Sequence, residues 1–247
     1  MRAFDETSQP AGKPLAASLD TRTAGCVIAA SAIASIVFVA LDQGASGKDA
    51  LSIMQSMVKA QPMHQLVHVV AMACLGGFMY GYSVLSQRLG LHRTPVLIGL
   101  VSYSLGTVLM LLATVIDGFV STDAAAMFIA GPPASIDQGM QIVNTLSGVL
   151  LPDLARVAWV FQSVAAVAWS CALLRERGIQ RAAGVIGLLA GALPAAIVFV
   201  VGSNMTDAVV VGILLAQGIW NFAAAVSLVS ANRTERSHGH ASLAASL

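Results

Sequence analysis

The sequence predicts an all-α integral membrane protein, a bundle of six transmembrane helices, and three observations carry that expectation. Hydrophobic residues make up 57% of the 247-residue chain and charged residues 10%, with a mean hydropathy of +0.79, far from the balance of a soluble domain. Apolar runs long enough to cross about 30 Å of hydrocarbon recur at about 25–41, 63–85, 95–120, 154–174, 182–201 and 207–229. Lysine and arginine fall unevenly between the connecting segments. Ten lie in 1–22, 87–94, 175–181 and beyond 231; the other three are Lys48, Lys59 and Arg156. The positive-inside rule then puts both termini in the cytoplasm, which requires an even number of spans.

Residues 1–22, polar and carrying Pro10 and Pro14, read as a disordered cytoplasmic tail. The membrane domain is expected over 23–231 and a second cytoplasmic tail over 232–247, where His238 and His240 are expected to be solvated. Span one carries Ser31 and Ser35 on one face. Its leader is long for a signal peptide and no A-x-A site follows it, so it is expected to remain as an anchor. A polar loop follows from Asp42 to Gln61. Within it, Ser46 is positioned to cap a short helix whose Leu51, Met54, Met57 and Val58 share one side, as in a helix lying on the outer membrane surface. Pro62 then introduces span two.

Span two has two faces. At about 100° per residue, His64 and His68 fall together with Ala71, Met72, Leu75 and Met79. Ala73, Gly77 and Gly81 form a small-residue edge on another side, suited to close helix approach. In span three, Tyr103, Gly106, Thr107, Met110, Thr114 and Asp117 occupy about a third of the circumference, a polar seam ending in a carboxylate. Residues 121–139, with Pro132-Pro133 at their centre, interrupt the spans, and 136–151 reads as a second surface helix stopped by Pro152. Span four has Asp153 and Arg156 at its entry and Gln162 and Ser163 inside. Span five has a packing edge of Gly184, Gly187, Gly191 and Ala195 and a kink at Pro194. Span six carries Gln217 and Asn221 one turn apart.

The topology puts His64, His68, Thr114 and Asp117 at one depth, on the outer side, with Asp42, Asp153 and Arg156 near the same rim. Two imidazoles one turn apart and a carboxylate from the antiparallel neighbour, His64, His68 and Asp117, are a metal-ligand set, with Asp153 and Arg156 as outer groups. Such a set suits Zn(II) or Fe(II); sulfur from Met54, Met57 or Met63 would shift it toward Cu(I). Haem fits less well, because histidines one turn apart cannot ligate opposite faces of one haem. The plainer alternative has both histidines at the headgroup level, bonded to water, lipid phosphate or loop carboxylates. HxxxH without the adjacent glutamate is not the zinc-protease pattern.

Two further classes stay open. Tyr103, Thr107, Thr114, Gln217 and Asn221 can line a polar path, the feature of a small-solute or ion permease, or can simply bond between helices. An enzyme working on lipids or quinones would draw its acid and base from His64, His68, Asp117 and Asp153, but there is no GxSxG, phosphate loop or dinucleotide fingerprint to name a reaction. The Gly/Ala faces at 73–81 and 187–195 also suit a homo-oligomer or a partner subunit in a membrane complex, a role needing no ligand. A formal charge of +1 without a basic stripe gives no footing for nucleic acid. Cys26, Cys74 and Cys171 lie inside spans and read as small apolar residues. Compact size and the lack of glycosylation acceptors in the outer loops, Asn204-Met205-Thr206 at a span edge excepted, point to a bacterial inner membrane. The favoured reading is a non-transporting multi-pass inner-membrane protein with an outward-facing polar site, for which metal binding is the sharper of two roles and interfacial hydrogen bonding the plainer and preferred one.

Overall fold

Apolar runs fold as helices in a bilayer because hydrocarbon offers backbone N–H and C=O groups no other partner. The computed structural model describes residues 15–42, 44–202 and 205–244. Among these there is no strand, and six helical segments are long and apolar enough to cross a membrane. The first is α1 (Leu15–Leu41) and the second α2 (Ala50–Leu89). Next, α3 (Thr94–Val115) runs through a π-helical turn, Ile116–Ser121, into α4 (Thr122–Ile129). A 3-10 turn at Pro133–Ser135 leads to α5 (Ile136–Thr145), which a second π-helical turn, Leu146–Leu150, joins to α6 (Leu151–Leu173). Finally come α7 (Ile179–Val201) and α8 (Asp207–Ala244).

Several boundaries differ from the sequence reading. Helix α1 begins at Leu15, inside the segment read as tail, and α8 continues to Ala244, through most of the other. The surface helix expected before Pro62 is continuous with span two. Its N-cap is Asp49, not Ser46: Asp49 accepts from Ser52 N–H while the Ser52 hydroxyl accepts from Asp49 N–H, a reciprocal box that closes the helix start. Pro62 lies inside α2, where it removes one backbone bond and costs about 3 kcal/mol in an ordinary helix. Contacts offset that cost. Met54, Ala125 and Val143 form a small core among α2, α4 and α5, and Gln61 donates to Asp123 at 2.8 Å. The expected interruption at 121–139 is therefore mostly helix. Pro152 does not stop the helix before it either: α6 follows the π-helical turn Leu146–Leu150 without a break, and the proline removes one backbone bond near that junction.

Three segments thus run 40, 36 and 41 residues, against 21, 23 and 24 for the others. About 20 residues cross the hydrocarbon, so each long segment has roughly 24–31 Å to spare at 1.5 Å per residue. The surplus gathers at one end of the bundle as a projecting collar. At the opposite end, Gly90 (φ 93°) and Gly178 (φ 62°) supply the left-handed backbone that lets the chain reverse within a few residues.

The six spans form a closed ring in which each helix packs on its sequence neighbours and α8 returns to α1. Close approach is built from glycine. A Cβ on Gly77 would collide with Ser31 and one on Gly81 with Ile28, both on α1. On Gly187 it would strike Ser170 and Trp220. The small-residue edges at Gly77, Gly81, Gly187 and Gly191 therefore pack the chain's own helices. Half of the ring's interior is filled by aromatics: Tyr82 lies stacked between Trp169 (4.6 Å) and Trp220 (6.2 Å), with Tyr103 tilted against it at 4.6 Å. Two of their polar atoms find partners in the layer, Tyr82 donating to Asn221 and the Trp169 indole to Ser86. The other half is open.

Candidate functional site

The packing of α1 on the Gly77–Gly81 edge carries Asp42, the first residue beyond α1, to the start of the apolar part of α2. There His64 and His68 stand one turn apart, ring centroids 4.2 Å from each other. The π-helical turn Ile116–Ser121 brings Asp117 to the same place. It can come that near because residue 118 is glycine: a Cβ there would lie 2.5 Å from the His68 side chain. Such turns, with one residue more than an α-turn, often mark sites where a side chain is re-aimed.

Each imidazole is held the same way. His64 Nε2 lies 3.2 Å from the Asp117 carbonyl oxygen, and His68 Nδ1 lies 2.8 Å from the His64 carbonyl oxygen. A carbonyl only accepts, so those two nitrogens carry hydrogen. The remaining nitrogens face carboxylates: His64 Nδ1 is 2.7 Å from Asp42 Oδ1, and His68 Nε2 is 3.1 Å from Asp117 Oδ2. Four ring nitrogens thus meet four acceptor oxygens, while two neutral imidazoles bring only two hydrogens. All four contacts can be hydrogen bonds only if two protons are held beyond neutral histidine and ionised aspartate. A divalent cation brings that same charge. The hydrogen bond from His64 keeps the Asp42 carboxyl below its ordinary pKa, with partial burial pulling the other way.

Asp42, His64 and His68 offer ligand atoms within 4.8 Å of one another. Around zinc, bonds of about 2.0–2.1 Å put tetrahedral ligands roughly 3.3 Å apart, so the widest edge must contract by up to about 1.5 Å. Backbone carbonyls that fix one nitrogen and leave the other free are the usual support of metal-binding histidines. His68 is buried; His64, Asp42 and Asp117 are partly so.

Below the cluster lies a cavity of about 670 Å³, walled by all six spans. Asp42, His68 and Asp117 sit at its mouth. Of the seam residues, Tyr103 and Thr114 line it, as do Gln217 and Asn221 of α8; Thr107 is buried outside the lining. Gln217 donates to Gln162 at 2.6 Å. Arg156 holds Asp153 at 2.7 Å within α6, one turn apart. Met54 and Met57 pack in the collar core, and Met63 is half exposed, so the described geometry gives these thioethers no place in the cluster. Sequence reasoning set Asp42 at the rim but missed its part in the cluster. The signal was its position one residue past a span whose partner edge was already legible. The aromatic layer was missed as well, since Tyr82, Trp169 and Trp220 converge only in space. No protein-family model matches the chain, and neither does any curated protein or solved structure.

Proposed function

We propose that this protein binds a divalent transition-metal ion at Asp42, His64, His68 and Asp117, as a multi-pass membrane protein with both termini cytoplasmic and the site facing outward. The observation that carries the reading is the pairing of each imidazole: one nitrogen fixed on a carbonyl, the other facing a carboxylate. Two nitrogens and two carboxylate oxygens suit Zn(II) or Fe(II), and the position of the methionines removes the argument for Cu(I). Uneven lysine and arginine placement supports the orientation.

The test is elemental analysis of detergent-purified protein, wild type beside His64→Ala/His68→Ala, followed by zinc titration of the stripped protein. Near-stoichiometric metal is expected in the wild type and none in the variant, with about two protons released per ion bound. Equal metal content in both proteins would sink the reading.

A second reading, permeation, has its own support: Tyr103, Thr114, Gln217 and Asn221 line one space. The aromatic layer closes that space at its inner end, so passage requires Tyr82, Trp169 and Trp220 to part. A permease is expected to lose flux in Gln217→Leu or Asn221→Leu with metal content unchanged.

A further inference from the structure

The ring has a weak seam. Helices α1 and α8 press together at one end, where a Cβ on Gly25 would lie 2.7 Å from the Ala225 carbonyl oxygen. Toward the cavity they part: a Cβ on Gly218 would find only the tip of Ile36, at 4.0 Å. Ile36 and Val39 on one side and Val211 and Leu215 on the other line the cavity, and each is about half exposed. The cavity therefore opens sideways, between α1 and α8, at the depth of the lipid chains.

What enters by that slot is apolar over most of its length, since the walls carry residues such as Val67, Leu75, Phe78 and Met110. Its head meets Asp42 and Asp117. Among the described residues lining the cavity none is lysine or arginine, and the one imidazole there, His68, already faces Asp117 at 3.1 Å, so a phosphate or carboxylate head meets two carboxylates and no lysine or arginine to pair with. An ammonium head brings positive charge and three N–H donors to those oxygens. From Asp117 to Tyr103 the helix descends about 21 Å, and the volume falls within the range of about 300–1,000 Å³ that holds drug-sized ligands.

We infer that the cavity is a binding chamber for a hydrophobic amine, a single ammonium head on an apolar body, which enters from the bilayer through the α1/α8 slot and seats its head at Asp42 and Asp117. This goes beyond the metal reading, because it stands on the cavity and the slot and does not need an ion.

Trp159 and Trp220 line the chamber, so a brominated ligand reports its own arrival by quenching tryptophan fluorescence. The full chain, purified in a nonionic detergent with a chelator present, is titrated with bromododecylamine, bromododecanol and bromododecyl sulfate. Saturable quenching by the amine is expected at concentrations at least tenfold below those of the alcohol and the sulfate. In Asp42→Asn/Asp117→Asn the amine should fall to the level of the alcohol, whose retained binding reports a folded chamber. Gly218→Phe, which fills the slot, should slow the onset of quenching severalfold. Equal response to the three heads in the wild type overturns the assignment without recourse to a variant, and unchanged onset in Gly218→Phe overturns the route. The chelator keeps the result separate from the metal titration, so either proposal can fail alone.

Discussion

At the scale of single residues, the cluster is a problem in acceptors. Asp42 and Asp117 compete for hydrogens that His64 and His68 hold only in part, and the geometry admits every contact only when extra positive charge is present. Gly118 makes that geometry possible. Gly118→Ala places a methyl against His68 and is expected to destabilise by about 1–3 kcal/mol, as other overpacked interiors do, and to weaken zinc binding in the same sample. Thermal midpoint and titration read the two effects. The Asp42–His64 contact also carries a pH signature. Because Asp42 is held below its ordinary value of 3.8, the folded state takes up this proton less readily than the unfolded chain. The resulting stability is fully present above about pH 4 and is lost as pH falls through the lowered value. Asp42→Asn is therefore expected to lower the thermal midpoint at pH 7 and to converge with wild type in acid; a constant difference across that range would contradict it. The histidine pair and Asp117 were legible in the sequence because a helix repeat alone relates them in depth. Asp42 was not, because its place depends on which face of α2 receives α1.

At the scale of elements, the long helices decide where the site sits. The spans themselves could be read from hydropathy, which responds to the cost of exposing backbone to lipid. Continuity past Pro62 and Pro152 could not, since proline marks a break only when tertiary contacts fail to hold the helix together. Here the core of Met54, Ala125 and Val143 holds it. Met54→Ala should cost about 2–5 kcal/mol and loosen the collar before the ring. Hydrogen exchange is expected to rise first over 50–62 and 122–145, and a uniform rise over all six spans would count against a separate collar core. The two π-helical turns face one another there, Ser147 donating to Ser121 at 2.9 Å, so the turn that presents Asp117 is braced by a second turn of its own kind.

For the whole molecule, six spans and a one-sided bias of positive charge were plain from the sequence, whereas ring closure was not, since no pattern in α1 names α8 as its neighbour. Orientation is open to direct labelling. Cysteine placed at Gly131, in the collar, should react with a membrane-impermeant maleimide added outside intact cells; cysteine placed at Arg177, in the opposite reversal, should react only after lysis. The inverse pattern would turn the protein over. Closure by the first and last helices also orders the protein's birth. The cluster residues all lie between 42 and 117, so the cluster is complete once the third span is in place. The chamber beneath it waits for α8, which begins about ninety residues later, and until then the Gly25 face of α1 has no α8 against it. If these residues hold an ion as proposed, a nascent chain can acquire it before α8 is made.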